Sequence, residues 1–340
     1  MTSLSEIESP LVSIIIVNFN GRRFIENCLN SVLRTKCIKF EVIVVDNGST
    51  DESLELLQNF SKNSFVGIKI IKNKINLGFA EGNNVGVENS IGKYIAFLNN
   101  DTAVDSNWLQ SMVTILESHE QIAAVQSLLL TRDGMQVDSL GGVIDIFGTA
   151  KDEVVRFDKV KRWVSGEFKE IFSACAAAML VRRDIFEAIG GFDPHFFMYY
   201  EDVDLSWRIR LYGFSIVLDS SSIVYHMRGE TSKKFKTNMF SFHLFKNQMT
   251  MLIKNYETKS VLQVIPGLLS IYFFRVMYSL IKNDANLGIV TIKALSWNIK
   301  ELPYILSERK YIQTYVRRVG DNQIRKLMSK KPLQLLRIRF

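Results

Sequence analysis

Three consecutive side chains whose oxygen atoms are suited to binding a ligand follow the end of a predicted strand. Residues 93–98 read KYIAFL, an apolar run typical of a buried strand, and Asn99, Asn100 and Asp101 follow it directly. Asn and Asp are ordinary turn residues, but carboxylate and amide oxygens also bind hard cations such as Mg²⁺. Which explanation holds depends on the other polar groups that reach the same place.

Polar segments of this kind follow each of the first four predicted strands. They read NFNG at 18–21, DNGSTD at 46–51, NKINLGFAEGNN at 73–84 and NNDT at 99–102. The carboxyl ends of parallel strands meet at one edge of a sheet, where ligands bind. Four such segments therefore predict a polar crevice rather than four independent turns. Neither a GxGxxG fingerprint nor a GxxxxGKS/T phosphate loop occurs in them.

A second group of acidic residues lies in the first turn of a later predicted helix. Glu201, Asp202 and Asp204 belong to the segment YYEDVDLSWRIRLYG, and negative side chains at a helix N-terminus are stabilised by the helix dipole. Dipole stabilisation is a sufficient explanation for at least one of these carboxylates. Arg208 and Arg210 of the same helix are expected on a solvated face.

The elements that must position these residues alternate between strands and helices. Continuous apolar runs, which are typical of strands covered on both faces, predict strands at 12–17, 41–45, 66–71 and 93–98. Helical patterns predict helices at 24–33, 52–60, 80–89 and 108–118. This alternation indicates βαβ units and a mostly parallel sheet in an α/β fold.

The second part of the sequence predicts fewer regular elements. Residues 131–170 are expected to form an irregular loop region near a site. We expect a strand and a short helix closed by Gly190 at 174–193, a helix within 196–214, and one or two strands at 215–226. Trp207 is expected to pack inside the protein.

Length, composition and cysteine content set the broad class. The 340 residues, 47% of them apolar and 23% charged, fit one large globular domain with an appendage. Cys28, Cys37 and Cys175 form no CxxC pair and leave an odd thiol, which favours a reducing compartment. No basic segment precedes the first apolar run, so no signal peptide is expected.

The positive charge is concentrated in the C-terminal part. The net charge is +7 overall, yet residues 256–340 contain 15 Lys and Arg against 5 Asp and Glu, and residues 1–255 contain 27 against 30. This asymmetry divides the chain into a slightly acidic unit at 1–255 and a basic region at 256–340.

Five segments and a later histidine resemble, in order and spacing, the motifs of bacterial family 2 glycosyltransferases, and their rhamnosyltransferase-type branch in particular. They are VSIIIVNFNG, VVDNGSTD, NLGFAEGNNVG, FLNNDT, GGFDPHFFMYYEDVDLSWRIRLYG and His226. The resemblance covers residues 10–255 and implies a catalytic domain of the nucleotide-diphospho-sugar transferase (GT-A) fold. It also implies an inverting mechanism and a divalent cation, Mg²⁺ or Mn²⁺.

For the donor, the resemblance implies that Asp46 accepts a hydrogen bond from N3–H of a pyrimidine base, with Phe19 and Asn20 lining the base pocket. The alternatives are a turn residue for Asp46 and a core residue for Phe19. The segment that wraps the nucleoside in the family, which is otherwise a solvated loop, corresponds here to Asn76, Gly78, Asn83 and Asn84.

For the cation, Asn99–Asn100–Asp101 takes the place of the family's Asp-x-Asp. Asp101 is then the metal ligand and Asn99 lies nearer the ribose, while the diphosphate supplies further oxygens. Because Asn99 is neutral, the site has one formal charge fewer than the strict motif, which leaves its metal affinity open. Asn-x-Asp also occurs in this branch of the family. His226 is either an additional metal or phosphate ligand or a structural side chain.

For the chemistry, the pair Glu201–Asp202 resembles the family's catalytic ED motif, in which the Asp is the base. An attacking hydroxyl must lose its proton in a single displacement at the anomeric carbon. Asp202 is therefore expected to act as the base and Glu201 to orient the acceptor. The metal stabilises the leaving diphosphate.

The C-terminal region 256–340 raises the question of a membrane. Residues 260–281 are long enough to span a bilayer, but they contain Pro266 and Arg275, and a charged residue is costly there. A helix that lies at the interface or docks on the catalytic domain is expected instead. The basic, aromatic remainder suits an anionic lipid surface; a solvated basic face and a dimer interface are alternatives.

The leading hypothesis is a metal-dependent inverting transferase at the cytoplasmic face of the cell membrane. It moves a sugar, rhamnose by resemblance, from a dTDP- or UDP-linked donor to a glycan or lipid-linked glycan in cell-surface polysaccharide synthesis. The alternative is a non-catalytic nucleotide-sugar-binding protein used in regulation or assembly, against which Asp101 and Asp202 argue. A third hypothesis, a nucleic-acid-binding protein, is supported by the basic region alone. The slightly acidic unit at 1–255 argues against it. A homo-oligomer is left open.

Overall fold

The computed structural model describes residues 11–64, 66–152, 155–156, 168–227, 237–282 and 285–333. Its strands are β1 Val12–Asn18, β2 Phe40–Asp46, β3 Ile68–Lys72, β4 Tyr94–Asn99, β5 Thr102–Val104, β6 Ile122–Thr131, β7 Gln136–Ser139, β8 Gly142–Ile144, β9 Ala150–Asp152, β10 Val155–Arg156, β11 Lys169–Glu170, β12 Ala178–Arg182 and β13 Ser215–His226. Its α-helices are α1 Ile25–Val32, α2 Ser53–Asn63, α3 Gly78–Glu88, α4 Trp108–Ser118, α5 Arg183–Ala188, α6 Glu201–Leu211, α7 Thr237–Asn255, α8 Thr258–Ile281, α9 Ala285–Lys300, α10 Leu302–Tyr311 and α11 Asp321–Lys326.

The first four predicted strands form the parallel part of the sheet. β1 pairs in parallel with both β2 and β4, and β2 pairs in parallel with β3. The apolar residues of β1, β2 and β4 are almost fully buried because helices cover both faces, as their continuous apolar runs predicted. The predicted helices correspond to α1, α2, α3 and α4, so the α/β class is confirmed.

The second part of the sheet is antiparallel in places and differs from the prediction. β12 lies antiparallel between β4 and β6, while β13 runs parallel to β6 and antiparallel to β5. The ten-residue strand β6 was missed, since buried Gln126 and Ser127 interrupt its apolar run. The segment 215–226 is one strand, with a register shift between Asp219 and Ile223.

The expected irregular region at 131–170 contains short strands. β7 pairs with β6, and β8 forms a separate two-stranded sheet with β9. Residues 153–154 and 157–167 of that region lie outside the described residues. The short strands bring a hairpin close to the N-terminus of α6, where the Tyr200 hydroxyl accepts a hydrogen bond from the Ala150 amide at 3.2 Å.

The C-terminal helices share a core with the sheet. Tyr256, Leu268, Tyr272 and Val316 belong to the same buried cluster as residues of β1, β12 and α6. The proposed boundary after residue 255 falls between α7 and α8. It therefore separates helices that bury one continuous apolar core.

Candidate active site

One buried amide joins the ends of three strands. The Asn18 Oδ1 atom, at the end of β1, accepts a hydrogen bond from Asn100 at 2.9 Å. Its Nδ2 atom donates to Ser53 Oγ at 3.0 Å and to Asp46 Oδ1 at 3.3 Å. The carboxyl ends of β1, β2 and β4 thus meet at one edge, as the polar segments predicted. Asn18 belongs to the first polar segment, NFNG at 18–21, but the sequence did not predict it as a site residue.

Asp46 is fully buried at this edge. Besides the bond from Asn18, its Oδ2 atom accepts one from the Ser49 amide at 3.2 Å. In this conformation a base reaches the Asp46 carboxylate only if a neighbour moves. Phe19 and Asn20 follow β1 and are half-buried, and Asn20 Oδ1 accepts a bond from the Thr50 amide at 2.7 Å.

The loop before α3 is held by Asn47, which was not predicted. Asn47 Nδ2 donates to Asn76 Oδ1 at 3.1 Å and to the Gly78 carbonyl at 2.8 Å. Gly78 has φ +84°, and a Cβ atom there would lie 2.5 Å from the Phe197 carbonyl oxygen. A glycine is therefore required where α3 begins, because the backbone of the loop before α6 approaches it.

The amides of Asn83 and Asn84 face the protein. Asn83 Nδ2 donates to the Phe79 carbonyl at 2.8 Å within α3. Asn84 donates to the Phe192 carbonyl at 2.8 Å and accepts from the Phe192 amide at 3.1 Å. Both side chains hold the site's framework together, and their contact with a nucleoside stays a prediction.

A cavity of about 410 Å³ gathers five of the predicted site residues. Residues 173–177 and the loop 198–200 form part of its wall, together with Lys151 of β9. The predicted residues that line it are Asn99, Asp101, Glu201, Asp202 and His226. The predicted residues that do not line it are Phe19, Asn20, Asp46, Asn76, Gly78, Asn83 and Asn84.

Asp101, His226 and Asp138 form a continuous chain of polar contacts. His226 lies opposite Thr102 in the β5–β13 pairing, which brings its ring to Asp101. The Nε2 atom lies 3.3 Å from Asp101 Oδ1, and the Nδ1 atom lies 2.8 Å from Asp138 Oδ2. Burial lowers the pKa of His226, but hydrogen bonds and charges from the two carboxylates outweigh it and raise the pKa to about 9.

The donor set fits a divalent cation that is shared with a diphosphate. Asp101 offers a carboxylate oxygen and His226 an imidazole nitrogen, both suitable for Mn²⁺. No group of three or more His, Cys, Asp or Glu ligands converges anywhere in the described residues. A cation here thus needs phosphate oxygens to complete its shell, as Mg²⁺ sites commonly do. It also competes with a proton on His226.

Glu201 and Asp202 begin α6 in unequal surroundings. Glu201 is buried, and its Oε2 atom has no hydrogen-bond partner among the described residues. Burial and the charge of Asp202 raise the pKa of Glu201 well above its usual range. Asp202 is half-buried, and its oxygens accept bonds from the Val203 amide at 2.8 Å and the Ala176 amide at 3.4 Å. Adjacent carboxyls whose environments differ in this way are suited to separate roles.

The turn before α6 is strained. Phe197, Tyr199 and Tyr200 have φ values of +64°, +64° and +69°, a region that side chains other than glycine rarely adopt. Asn247 of α7 holds the turn, since its Nδ2 atom lies 2.9 Å from the Met198 carbonyl oxygen and 2.7 Å from that of Tyr199. Strain that neighbouring groups maintain is common beside functional residues.

The rest of α6 is buried, which corrects one prediction. The prediction of a solvated face was wrong for Arg208 and Arg210, which are 3% and 4% exposed. Arg208 donates to Asp204 at 2.9 Å, and Arg210 donates to the Phe172 carbonyl at 2.8 Å. The C-terminal helices cover α6, so its charges pair internally. The predicted packing of Trp207 is confirmed.

Residues 13–190 match the family described as Glycosyl transferase family 2. This match covers more than half of the chain, so the chain belongs to that family, and the family inferred from the motifs is confirmed. The conclusion rests on the segment from β1 to the end of α5 and the following turn.

Three curated relatives agree with this assignment. An uncharacterized glycosyltransferase of Haemophilus influenzae is 38% identical over 120 residues, which cover 35% of this chain and 37% of that protein. Glycosyltransferase AglE of Haloferax volcanii is 30% identical over 192 residues, covering 55% and 57% respectively. O-antigen biosynthesis protein RfbC of Myxococcus xanthus is 28% identical over 235 residues, covering 64% and 17%. The chain spans less than two thirds of each of these relatives.

Solved structures of low sequence identity share the fold. GalNAc-T7 with UDP, GalNAc and Mn²⁺ has a TM-score of 0.61 and 17% identity, covering 91% of this chain and 59% of that one. The mannosyltransferase PcManGT of Pyrobaculum calidifontis, with GDP-Man and Mn²⁺, has a TM-score of 0.54 and 14% identity, covering 91% and 84%. TarS of S. aureus with UDP has a TM-score of 0.53 and 16% identity, covering 93% and 90%. The predicted nucleotide-sugar transferase fold is thereby confirmed.

Proposed function

We propose that this chain is a metal-dependent inverting glycosyltransferase of cell-surface polysaccharide synthesis. The observation that carries the proposal is the cavity shared by Asp101 and His226 with Glu201 and Asp202. A cation-and-phosphate edge together with a carboxylate base provides the two functions that an inverting transfer needs. The acceptor is a glycan or lipid-linked glycan, and the enzyme works at the cytoplasmic face of the membrane.

The donor is a UDP- or dTDP-linked sugar, with rhamnose favoured by the motif resemblance. Asp46 reads the base beside Phe19 and Asn20, after a local shift that frees its carboxylate from Asn18. The residues that contact the nucleoside are Asn76, Gly78, Asn83 and Asn84, and Asn99 lies near the ribose. Support comes from the meeting of the strand ends and from the UDP bound to fold neighbours such as TarS.

In the reaction, Asp202 takes the proton of the acceptor hydroxyl while that oxygen bonds to the anomeric carbon. The bond from this carbon to the diphosphate oxygen breaks, and the configuration inverts. Glu201, whose pKa is raised well above its usual range by burial and by the charge of Asp202, orients the acceptor. Asp101 and His226 would hold Mg²⁺ or Mn²⁺, and the cation would supply positive charge to stabilise the leaving diphosphate.

The first experiment is a calorimetric titration with UDP and dTDP, with and without Mn²⁺. We expect the nucleotide to bind only with Mn²⁺ present and one of the two bases to bind more tightly. In Asp101→Ala, adding Mn²⁺ should no longer strengthen nucleotide binding. Asp202→Asn should keep nucleotide binding and lower the release of nucleoside diphosphate from the sugar donor by about 10²–10⁴-fold. Turnover by Asp202→Asn at the parent rate would disprove the base assignment.

The competing function is nucleotide-sugar binding without turnover. Two observations favour it: Asn99 is neutral, and only two metal ligands, Asp101 and His226, converge at this place in the described residues. This function predicts that donors bind but release no nucleoside diphosphate, and that Asp202→Asn changes nothing measurable.

A further inference from the structure

The helix α8 buries a charged residue, Arg275, and exposes many of its large apolar residues. Its buried residues are Ser260, Val264, Leu268, Tyr272, Arg275 and Ser279. The Tyr272 hydroxyl oxygen lies 3.0 Å from two acceptors of α7, the Phe245 carbonyl oxygen and Gln248 Oε1. The Arg275 guanidinium lies 4.0 Å from the ring centre of Phe245. The exposed large apolar residues of α8 are Leu262, Leu269, Phe273, Phe274, Met277, Tyr278, Leu280 and Ile281.

The next helix extends this surface. Ile289, Ile292 and Ile299 of α9 are 49%, 51% and 73% exposed. The two helices approach closely where a Cβ atom at Gly288 would lie 2.4 Å from Ser279 Oγ. Of the 21 large apolar side chains exposed in the described residues, 11 lie on α8 and α9. We call these 11 side chains the α8–α9 face, and a concentration of this kind marks a contact surface rather than ordinary scatter.

The α8–α9 face differs from both a core helix and a membrane-spanning helix. Only 28% of the most apolar window of α8 is buried, so α8 is not a core helix. Its other side is attached to the protein at Gly267, where a Cβ atom would lie 2.8 Å from the Phe147 ring, and again at Tyr272 and Ser279. A helix fixed along its length in this way lies against a bilayer surface more readily than across it.

The charges beside the α8–α9 face favour lipid over a second protein copy. Lys282, Lys293 and Lys300 are exposed at the end of α8 and along α9. They belong to the region 256–340, which contains 15 basic and 5 acidic residues. Two copies of such a surface repel each other, whereas anionic lipid headgroups attract it.

We propose that the α8–α9 face inserts into the surface of an anionic lipid bilayer, with its lysines at the headgroups. This inference deepens the proposed function and rests on it for one point, the presence of a lipid-linked acceptor. Aromatic and aliphatic side chains enter the region between headgroups and acyl chains, as in other interfacial helices.

The test is vesicle flotation of the full-length protein. One set of vesicles is phosphatidylcholine alone, and the other contains phosphatidylglycerol as well. We expect stronger binding to the anionic vesicles, with a partition coefficient that falls at least about tenfold in the double variant Phe273→Ser/Phe274→Ser. Lys282→Glu/Lys293→Glu should lose mainly the preference for anionic lipid. Ile91→Ser, which changes an equally exposed residue far along the chain, is the matched control.

Three results would overturn the inference. The first is a parent protein that floats with neither kind of vesicle, and the second is a Phe273→Ser/Phe274→Ser variant that floats like the parent. The third is a chain that stays in membranes after alkaline extraction, which indicates a spanning α8. Light scattering that shows a dimer dissociated by the same variant, without vesicle binding, would assign the face to a second copy. UDP and dTDP titrations on the same samples test the proposed function separately, so a failure of the membrane inference is distinguishable from a failure of the proposed function.

Discussion

At the scale of single residues, the contact with Asp138 orients the ring of His226, which is one of the two proposed cation ligands. Nδ1 of His226 lies 2.8 Å from Asp138, which leaves Nε2 directed to Asp101. Because the Asp138 carboxylate accepts from Nδ1, Nε2 is the ring nitrogen that would bind a metal once it loses the proton that the raised pKa of His226 keeps on the ring. Carboxylates that fix a histidine in this way commonly affect metal affinity as strongly as a missing ligand does.

We expect Asp138→Ala to weaken Mn²⁺ binding in the presence of UDP by about 10–100-fold, and Asp138→Asn by less, because its amide oxygen still accepts from Nδ1. Calorimetry with Mn²⁺ and UDP measures this directly. Asp133→Asn is the control, since Asp133 is an exposed carboxylate that is bonded within its own turn. Equal metal affinity in Asp138→Ala and the parent would show that Asp138 does not orient the ligand.

Glu201 gives a prediction about pH. A carboxyl whose folded pKa lies above its unfolded value lowers stability as pH rises, because only the unfolded chain ionises. We therefore expect Glu201→Gln to match the parent at pH 4 and to be more stable at pH 7, as measured by urea unfolding. Glu55→Gln, an exposed change, should show no such trend. A Glu201→Gln variant that is less stable at pH 7 would mean that the charged form is the native one.

At the scale of elements, α7 holds the strained turn before Glu201 and Asp202, the carboxylates proposed for catalysis. Asn247→Ala removes the donor to the carbonyls of Met198 and Tyr199. We expect a loss of about 2–4 kcal/mol in the free energy of unfolding, since buried carbonyls lose their partner. Turnover should fall more than donor affinity because the turn carries Glu201 and Asp202.

Urea unfolding and steady-state kinetics check this, with the exposed Asn238→Ala of the same helix as the control. If Asn247→Ala loses stability but keeps both the kcat and the donor affinity of the parent in the same proportion, Asn247 contributes to packing and not to the geometry of the turn.

These elements also show which features were predictable from the sequence. The strand ends were predictable because each polar segment directly follows its own apolar run. Asp138 and Asn247 were missed because they act on residues 88 and 49 positions away in the chain. Pairing and packing create those contacts, and no local pattern records them. The burial of Arg208 was missed for the same reason, since α7 and the C-terminal helices cover it.

At the scale of the whole molecule, buried ion pairs connect the sheet half to the C-terminal helices. Lys254 of α7 is fully buried and contacts both Asp193, in the loop before α6, and Asp204 of α6. Tyr304 of α10 donates to Asp193 at 2.7 Å. Helix α6 and the C-terminal helices α7 and α10 are therefore expected to unfold together.

The pH dependence of Asp193 tests this coupling. Burial raises its pKa, but the charge and hydrogen bond of Lys254 and the bond from Tyr304 outweigh burial and lower the pKa to about 2. A lowered carboxyl pKa adds stability above the unfolded value of about 3.9, and that stability disappears as pH falls through the folded value. Asp193→Asn should cost about 3–5 kcal/mol at pH 7, because it breaks a buried ion pair.

The difference between Asp193→Asn and the parent should narrow between pH 4 and pH 2 in urea titrations, while the exposed Asp184→Asn follows the parent throughout. Fluorescence and circular dichroism should report one common transition in both proteins, because Lys254 couples α6 to α7. Two separate transitions in the parent would contradict this and would mean that the C-terminal helices unfold independently of the catalytic domain, despite the core that they share.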